Sequence, residues 1–458
     1  MPTSRLESRL GRSLRATFRW SACLIVVAAC GDSGSSDDAG IRGDGSVSDA
    51  GTLPAKPCEP QPAATPSPAR CSANPEDTSL PPCEQWAKVE PAGAVCSDGS
   101  QYKFFINFTT RSDNLVVMFE PGGACWDYES CSGGQRGAAN PHGIPDDHMS
   151  NAQYLNLLRR TDDNPARDYN FVFVSYCTGD VHAGDKVATY ADPAGGPALT
   201  YRHVGLANSQ KVVDYLAERF PTVPQLLVTG CSAGGIGALQ NYAFFRNGLT
   251  GTQCGYLLDD SGPSFHSDGN SKQLQAIVRT AWNLDTLFAR LSAAVDVPEP
   301  DFGTDFGRLN TALADHFPSD RIALTAYRMD FNYSLYSYER FFPGSTPADI
   351  HDYFWQDLQA LLETYDTRAN LGYYVPYFRH DNCSHCVSIP PIDHDTDIIL
   401  TMPWLGSEIS AAGATLRTYV EQLLDDRQPL PRIVEMVRPD TDFTSEELRM
   451  CLTPDPSD

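Results

Sequence analysis

Ser232 sits in a stretch that can turn a hydroxyl into a nucleophile. Residues 225–242 read QLLVTGCSAGGIGALQNY: an apolar run, then Gly230, Cys231, Ser232, Ala233 and Gly234, then an Ala/Gly-rich helix start. A serine at the apex of so tight a strand-to-helix turn has a strained backbone, and only small neighbours let strand and helix approach closely enough. Gly234, Gly235 and Gly237 supply that room. The five-residue pattern alone arises by chance, and an ordinary glycine-rich turn would share it; the flanking run and helix give it weight. The chemistry is acyl transfer. It needs a base for the hydroxyl proton, an acid to orient that base, and N–H donors for the oxyanion.

Such turns are the nucleophile elbows of α/β hydrolases, in which serine, acid and histidine follow in chain order. His385 lies in RHDNCSHC (residues 379–386), just beyond the last expected strand. Imidazole changes protonation near neutral pH with little tuning, as a general base must. Cys383 and Cys386 flank it and offer disulfides to fix the loop. A competing reading takes His380, Cys383, His385 and Cys386 as zinc ligands, but the spacing matches no common zinc frame and exported cysteines are usually oxidised. For the acid, Asp330 follows a strand and precedes His385 by one helix and one strand. Asp260, ending the strand after the nucleophile helix, is the alternative. Either aspartate could instead be a turn former or helix cap. The oxyanion donors are expected from Ala233, next to the nucleophile, and from Gly123 and Ala124 in the turn EPGGACW (residues 120–126) after an early strand.

Positioning these groups takes alternating strands and helices. Strands are expected at 101–108, 115–119, 171–174, in the run before Ser232, and at 256–258, 322–327 and 371–378. Helices are expected at 205–220, 274–294, 349–365 and 411–424, with a Pro/Gly/Asp loop at 297–307. That alternation implies a mostly parallel central sheet flanked by helices. No internal repeat is visible.

The first residues carry an address rather than a fold. Arg5, Arg9, Arg12, Arg15 and Arg19 precede the apolar run 20–29, which is too short to span a bilayer. The run ends in Val27, Ala28, Ala29 and Cys30, resembling the lipobox of bacterial lipoproteins. That resemblance implies a signal peptide 1–29, cleavage before Cys30 and its lipidation, which anchors an exported protein to a membrane without a spanning helix. A plain secretory signal containing a cysteine is the alternative. Residues 30–70 are Gly/Ser/Asp- and then Pro/Ala-rich and read as a disordered tether; residues 71–458 read as one large α/β domain. Without the signal and Cys30, twelve of the 14 cysteines remain, an even number that suits disulfides. Cys125 and Cys131 are close enough to staple one loop. Loss of five arginines and one glutamate takes the net charge from −24 to −28, which excludes nucleic acid as a partner.

The chain resembles the pectin acetylesterase/Notum family of serine carboxylesterases. Residues 119–131 (FEPGGACWDYESC) are similar to the family's oxyanion segment and residues 228–239 (VTGCSAGGIGAL) to its nucleophile block. Residues 174–185 (VSYCTGDVHAGD), 324–338 (LTAYRMDFNYSLYSY) and 382–386 (NCSHC) follow the same order of blocks. Pro121 stands where many members have a further glycine, and Arg328 and Met329 are inserted before the aspartate. The resemblance implies a disulfide-stapled α/β-hydrolase fold and ester hydrolysis through an acyl-enzyme, without metal or organic cofactor. Ser232, His385 and Asp330 would form the triad. Acetylated polysaccharides or small acyl esters are the expected substrates, with a lipase-like longer acyl chain as one alternative. A non-catalytic surface-binding lipoprotein on the same scaffold is another. So acidic a protein should repel polyanionic pectin unless basic residues line the pocket. His182 and Asp185 either line that pocket or belong to a structural hydrogen-bond network.

Overall fold

The computed structural model describes residues 57–60, 69–74, 76–133, 138–297, 300–378, 384–389, 409 and 413–436. The strands are β1 (Ala87–Val89), β2 (Phe104–Asn107), β3 (Leu115–Phe119), β4 (Asn170–Val174), β5 (Lys186–Tyr190), β6 (Leu199–His203), β7 (Val223–Cys231), β8 (Thr252–Asp260), β9 (Arg321–Thr325), β10 (Leu371–Val375) and β11 (Arg432–Val434). Nine of them form one sheet in the order β1-β2-β4-β3-β7-β8-β9-β10-β11, and β5 and β6 pair as a separate antiparallel hairpin. From β4 to β11 every pairing is parallel; β1 and β2 run antiparallel at one edge. Every residue of β3, β4, β9 and β10 is buried. Their β-branched, leucine and aromatic runs show no alternation because such a sheet is covered on both faces.

The nucleophile strand sits at the middle of this order. β7 pairs with β3 through Phe119 and Gly230 and with β8 through Cys231 and Asp260. The turns that leave β3, β7, β8, β9 and β10 therefore emerge side by side at the carboxyl ends of five adjacent parallel strands, where α/β sheets place their sites.

Among the described residues five disulfides staple the fold: Cys58–Cys254, Cys71–Cys83, Cys96–Cys177, Cys125–Cys131 and Cys231–Cys386. The Cys125–Cys131 loop matches expectation. Within the stretch read as a tether, Cys58 is fastened to β8 at Cys254. Cys30, His380, Cys383 and the signal segment lie outside the described residues. Among the described residues, no helix is long and apolar enough to cross a membrane.

Some elements differ from expectation. The helix expected at 274–294 is two, α4 (Lys272–Trp282) and α5 (Leu284–Val295), because Asn283 takes the left-handed conformation at φ 55° that asparagine tolerates and that ends a helix. The loop expected at 297–307 contains the short helix Pro300–Thr304. The helix expected at 349–365 begins earlier, as Pro347–Tyr365, because Thr346 and Asp349 close a capping box ahead of a proline in the first turn. The closing helix is shorter than expected, Leu416–Leu423, started by Thr415 bonding the Thr418 N–H.

Candidate active site

Ser232 occupies the elbow between β7 and the helix Ala233–Gly248, with φ 56° and ψ −123°. A non-glycine residue there is strained, and it persists because its surroundings over-determine it. The Ser232 N–H donates to the Asp260 carbonyl at 2.8 Å, and its carbonyl accepts from Ile236 N–H at 3.1 Å. The crowding explains the glycines: a Cβ on Gly234 would lie 2.1 Å from the Phe119 carbonyl oxygen. Strand, elbow and helix can meet only with hydrogen at that position.

His385 meets Asp330. Its Nδ1 lies 2.8 Å from Asp330 Oδ2 and 3.0 Å from Oδ1, and the Asp330 side chain is fully buried. Asp330 also caps the short helix Phe331–Ser334, accepting from Tyr333 N–H at 2.8 Å. The inserted Arg328 and Met329 extend the β9–β10 edge by donating to the Pro376 and Tyr377 carbonyls, at 2.8 and 3.0 Å. They carry Asp330 out to the histidine. Burial opposes protonation of His385, but the charge and hydrogen bond of Asp330, with the charge of Asp260, outweigh it and hold its pKa above the ordinary histidine value. Ser232 and His385 line one cavity.

Asp260 does not touch the imidazole ring through a hydrogen bond. Its Oδ1 accepts from Val387 N–H at 2.9 Å and Thr325 Oγ at 3.0 Å, and its Oδ2 from Ser388 N–H at 2.8 Å and Ser388 Oγ at 2.6 Å. Burial raises its pKa against these bonds. The Cys386 sulfur that the zinc reading needed is bonded to Cys231.

Of the three expected oxyanion donors, two have no partner among the described residues. Ala233 opens its helix and holds one of the orphan N–H groups of a helix N-terminus. Gly123, at φ 64°, has no partner for its N–H among the described residues. Ala124 departs from expectation: its N–H donates to the Tyr336 hydroxyl at 2.8 Å. Tyr336, in the helical turn Leu335–Glu339, was not legible as a site residue. The turn itself is fixed from behind, where the Glu120 carboxylate accepts from Tyr176 N–H at 2.6 Å and contacts His148 Nε2 at 2.7 Å.

The cavity at Ser232 has a volume of about 380 Å³. Trp126, Val181, Ile236, Phe265, Val278 and Leu335 are among its walls, and among the described residues no Asp, Glu, Lys or Arg lines it. His182 and Asp185 do not line it. His182 is buried with its Nε2 3.0 Å from the Glu120 carbonyl, and burial lowers its pKa to about 4. The structural-network reading of that block stands.

Residues 84–294 match the family model described as pectinacetylesterase. This span, 211 of the 458 residues, is the part of the chain that is similar to that family. It holds the elbow and the oxyanion turn and ends before Asp330 and His385, whose pairing comes from the geometry. The chain is 24% identical over 216 residues to palmitoleoyl-protein carboxylesterase notum2 of Xenopus laevis, covering 44% of this chain and 37% of the relative. It is 29% identical over 181 residues to pectin acetylesterase 7 of Arabidopsis thaliana, covering 38% and 44%. The chain thus spans less than half the length of these family relatives. The solved structure of the Wnt deacylase Notum from Drosophila covers 73% of this chain and 91% of its own, at 17% identity and a TM-score of 0.47.

Proposed function

We propose that this protein is a serine carboxylic ester hydrolase working through an acyl-enzyme. Ser232 Oγ attacks the ester carbonyl while His385 takes its proton, and Asp330 holds the imidazole with its Nδ1 protonated and stabilises the imidazolium. The N–H groups of Ala233 and Gly123 receive the oxyanion. His385 then protonates the departing alcohol, and it later deprotonates the water that releases the acid. The observation that carries this reading is His385, paired with Asp330, lining the same cavity as a strained serine. A fluorophosphonate should label the purified protein at Ser232, and Ser232→Ala should lose both labelling and turnover of p-nitrophenyl esters while staying folded. Near-parental turnover by Ser232→Ala would refute it.

Two acyl classes are named among the relatives, acetyl and palmitoleoyl. The mostly apolar walls, with no Asp, Glu, Lys or Arg among the described residues that line them, favour an acyl chain longer than acetyl, because an acetyl group would leave most of the cavity unfilled. Among the described residues they offer no Lys or Arg to a pectate chain. Acetyl release from neutral polysaccharides is the second reading, favoured by the family match of residues 84–294. Five disulfides favour an oxidising compartment. Export as a lipoprotein acylated at Cys30 belongs to the same proposal, and Cys30→Ser should move the protein from the membrane to the soluble fraction.

A further inference from the structure

We propose that Asp260 and the Cys231–Cys386 disulfide form a clasp that positions His385 against Ser232. This deepens the esterase reading and rests on it. The cross-link joins the residue before the nucleophile to the residue after the base, 155 positions apart. Among the described residues, no other cross-link joins the nucleophile turn to the histidine segment.

The six described residues 384–389 need such a hold. Ser384 and Cys386, on either side of His385, both have left-handed backbones at φ 51° and 62°. Neither residue adopts that conformation readily, so contacts must impose it. The contacts come from the end of β8. Ser261 Oγ accepts from Cys386 N–H at 3.1 Å, and the Asp260 carboxylate takes Val387 N–H, Ser388 N–H and Ser388 Oγ at 2.9, 2.8 and 2.6 Å. Asp260 is fully buried, and its backbone carbonyl also accepts the Ser232 N–H at 2.8 Å. One residue therefore grips the nucleophile through its main chain and the histidine segment through its side chain. Asp330 orients the ring, whereas Asp260 places the backbone that carries it. Asp260 is thus a positioning residue and not the triad acid.

The test compares the parental full-length protein with Cys231→Ala/Cys386→Ala, Asp260→Asn and Ser388→Ala. Asparagine at 260 turns an amide donor or leaves a weaker acceptor toward the three donors of Val387 and Ser388 and the Thr325 and Ser261 hydroxyls, and Ser388→Ala removes the 2.6 Å bond alone. A misplacement near 1 Å costs about 100-fold in turnover. We expect that loss in kcat for the first two variants on a p-nitrophenyl ester, with KM within about twofold, and a smaller loss for Ser388→Ala. Labelling of Ser232 by fluorophosphonate should slow in proportion. In the double cysteine variant, the midpoint of the acid limb of kcat/KM should fall, because a displaced ring leaves Asp330. A role confined to stability would lower the melting temperature and leave that midpoint in place. Parental kcat and an unmoved midpoint in the folded double variant would overturn the clasp. If the double variant and Asp260→Asn do not fold, parental kcat in Ser388→Ala overturns it. A parental protein that is neither labelled nor active would instead remove the esterase reading itself.

Discussion

Acyl-chain preference gives the sharpest quantitative check. Lengthening the acyl group from acetyl to octanoyl adds six methylenes, each worth about 0.8 kcal/mol when fully buried, or about 5 kcal/mol in all. Ordering each new torsion costs roughly 0.5 kcal/mol, which leaves about 2 kcal/mol, a gain of about 30-fold in kcat/KM. The cavity of about 380 Å³ holds on the order of a dozen water-sized groups at about 30 Å³ each, and a methylene is close to that size. The gain should therefore stop near dodecanoyl, with palmitoyl no better. The assay is kcat/KM across p-nitrophenyl esters from acetyl to palmitoyl at one pH and below the micellar range. Leu274 lines the cavity, and Leu274→Trp should shift the optimum to shorter chains. A kcat/KM that falls from acetyl to octanoyl would refute the reasoning and favour the acetyl reading.

Asp330→Asn keeps an oxygen to cap Tyr333 N–H but removes the charge at His385, so kcat should fall on the order of 10,000-fold with little change in melting temperature. Activity needs neutral His385 and rises with pH through its pKa; that midpoint should lie above the ordinary histidine value in the parent and drop in Asp330→Asn, as a kcat/KM pH profile will show. Gly234→Ala forces a methyl onto the Phe119 carbonyl and should cost about 1–3 kcal/mol of stability together with turnover, read by thermal unfolding and kinetics. Cys58→Ser opens a cross-link between residues 196 apart at the end of β8 remote from Ser232; it should cost about 2–5 kcal/mol in denaturant titration and leave kcat unchanged.

Where local pattern and tertiary burial agree, the elements are legible from sequence. β3 has the expected limits, since LVVMF is a fully buried strand with no competing period. The hairpin of β5 and β6 was missed because its half-exposed residues, with Val187 at the surface, offer neither an apolar run nor clear alternation. The break at Asn283 depends on one backbone conformation that asparagine permits without requiring. In the site, chain order placed Asp330 after β9 and His385 beyond β10, yet left Asp260 open, because both aspartates follow strands. Only the hydrogen bonds separate them. Tyr336 and the Cys231–Cys386 pairing had no signature, since each depends on segments more than a hundred residues apart meeting in space.

If the proposed esterase reading holds, the clasp also gives the protein a date of birth distinct from its folding. A chain still in a reducing cytosol holds residues 231 and 386 as separate thiols. It can assemble its sheet while its base is held by the Asp260 and Ser261 bonds alone, and so work about 100-fold more slowly among the esters of the cell that makes it. Oxidation on the proposed export would then bring it to full rate.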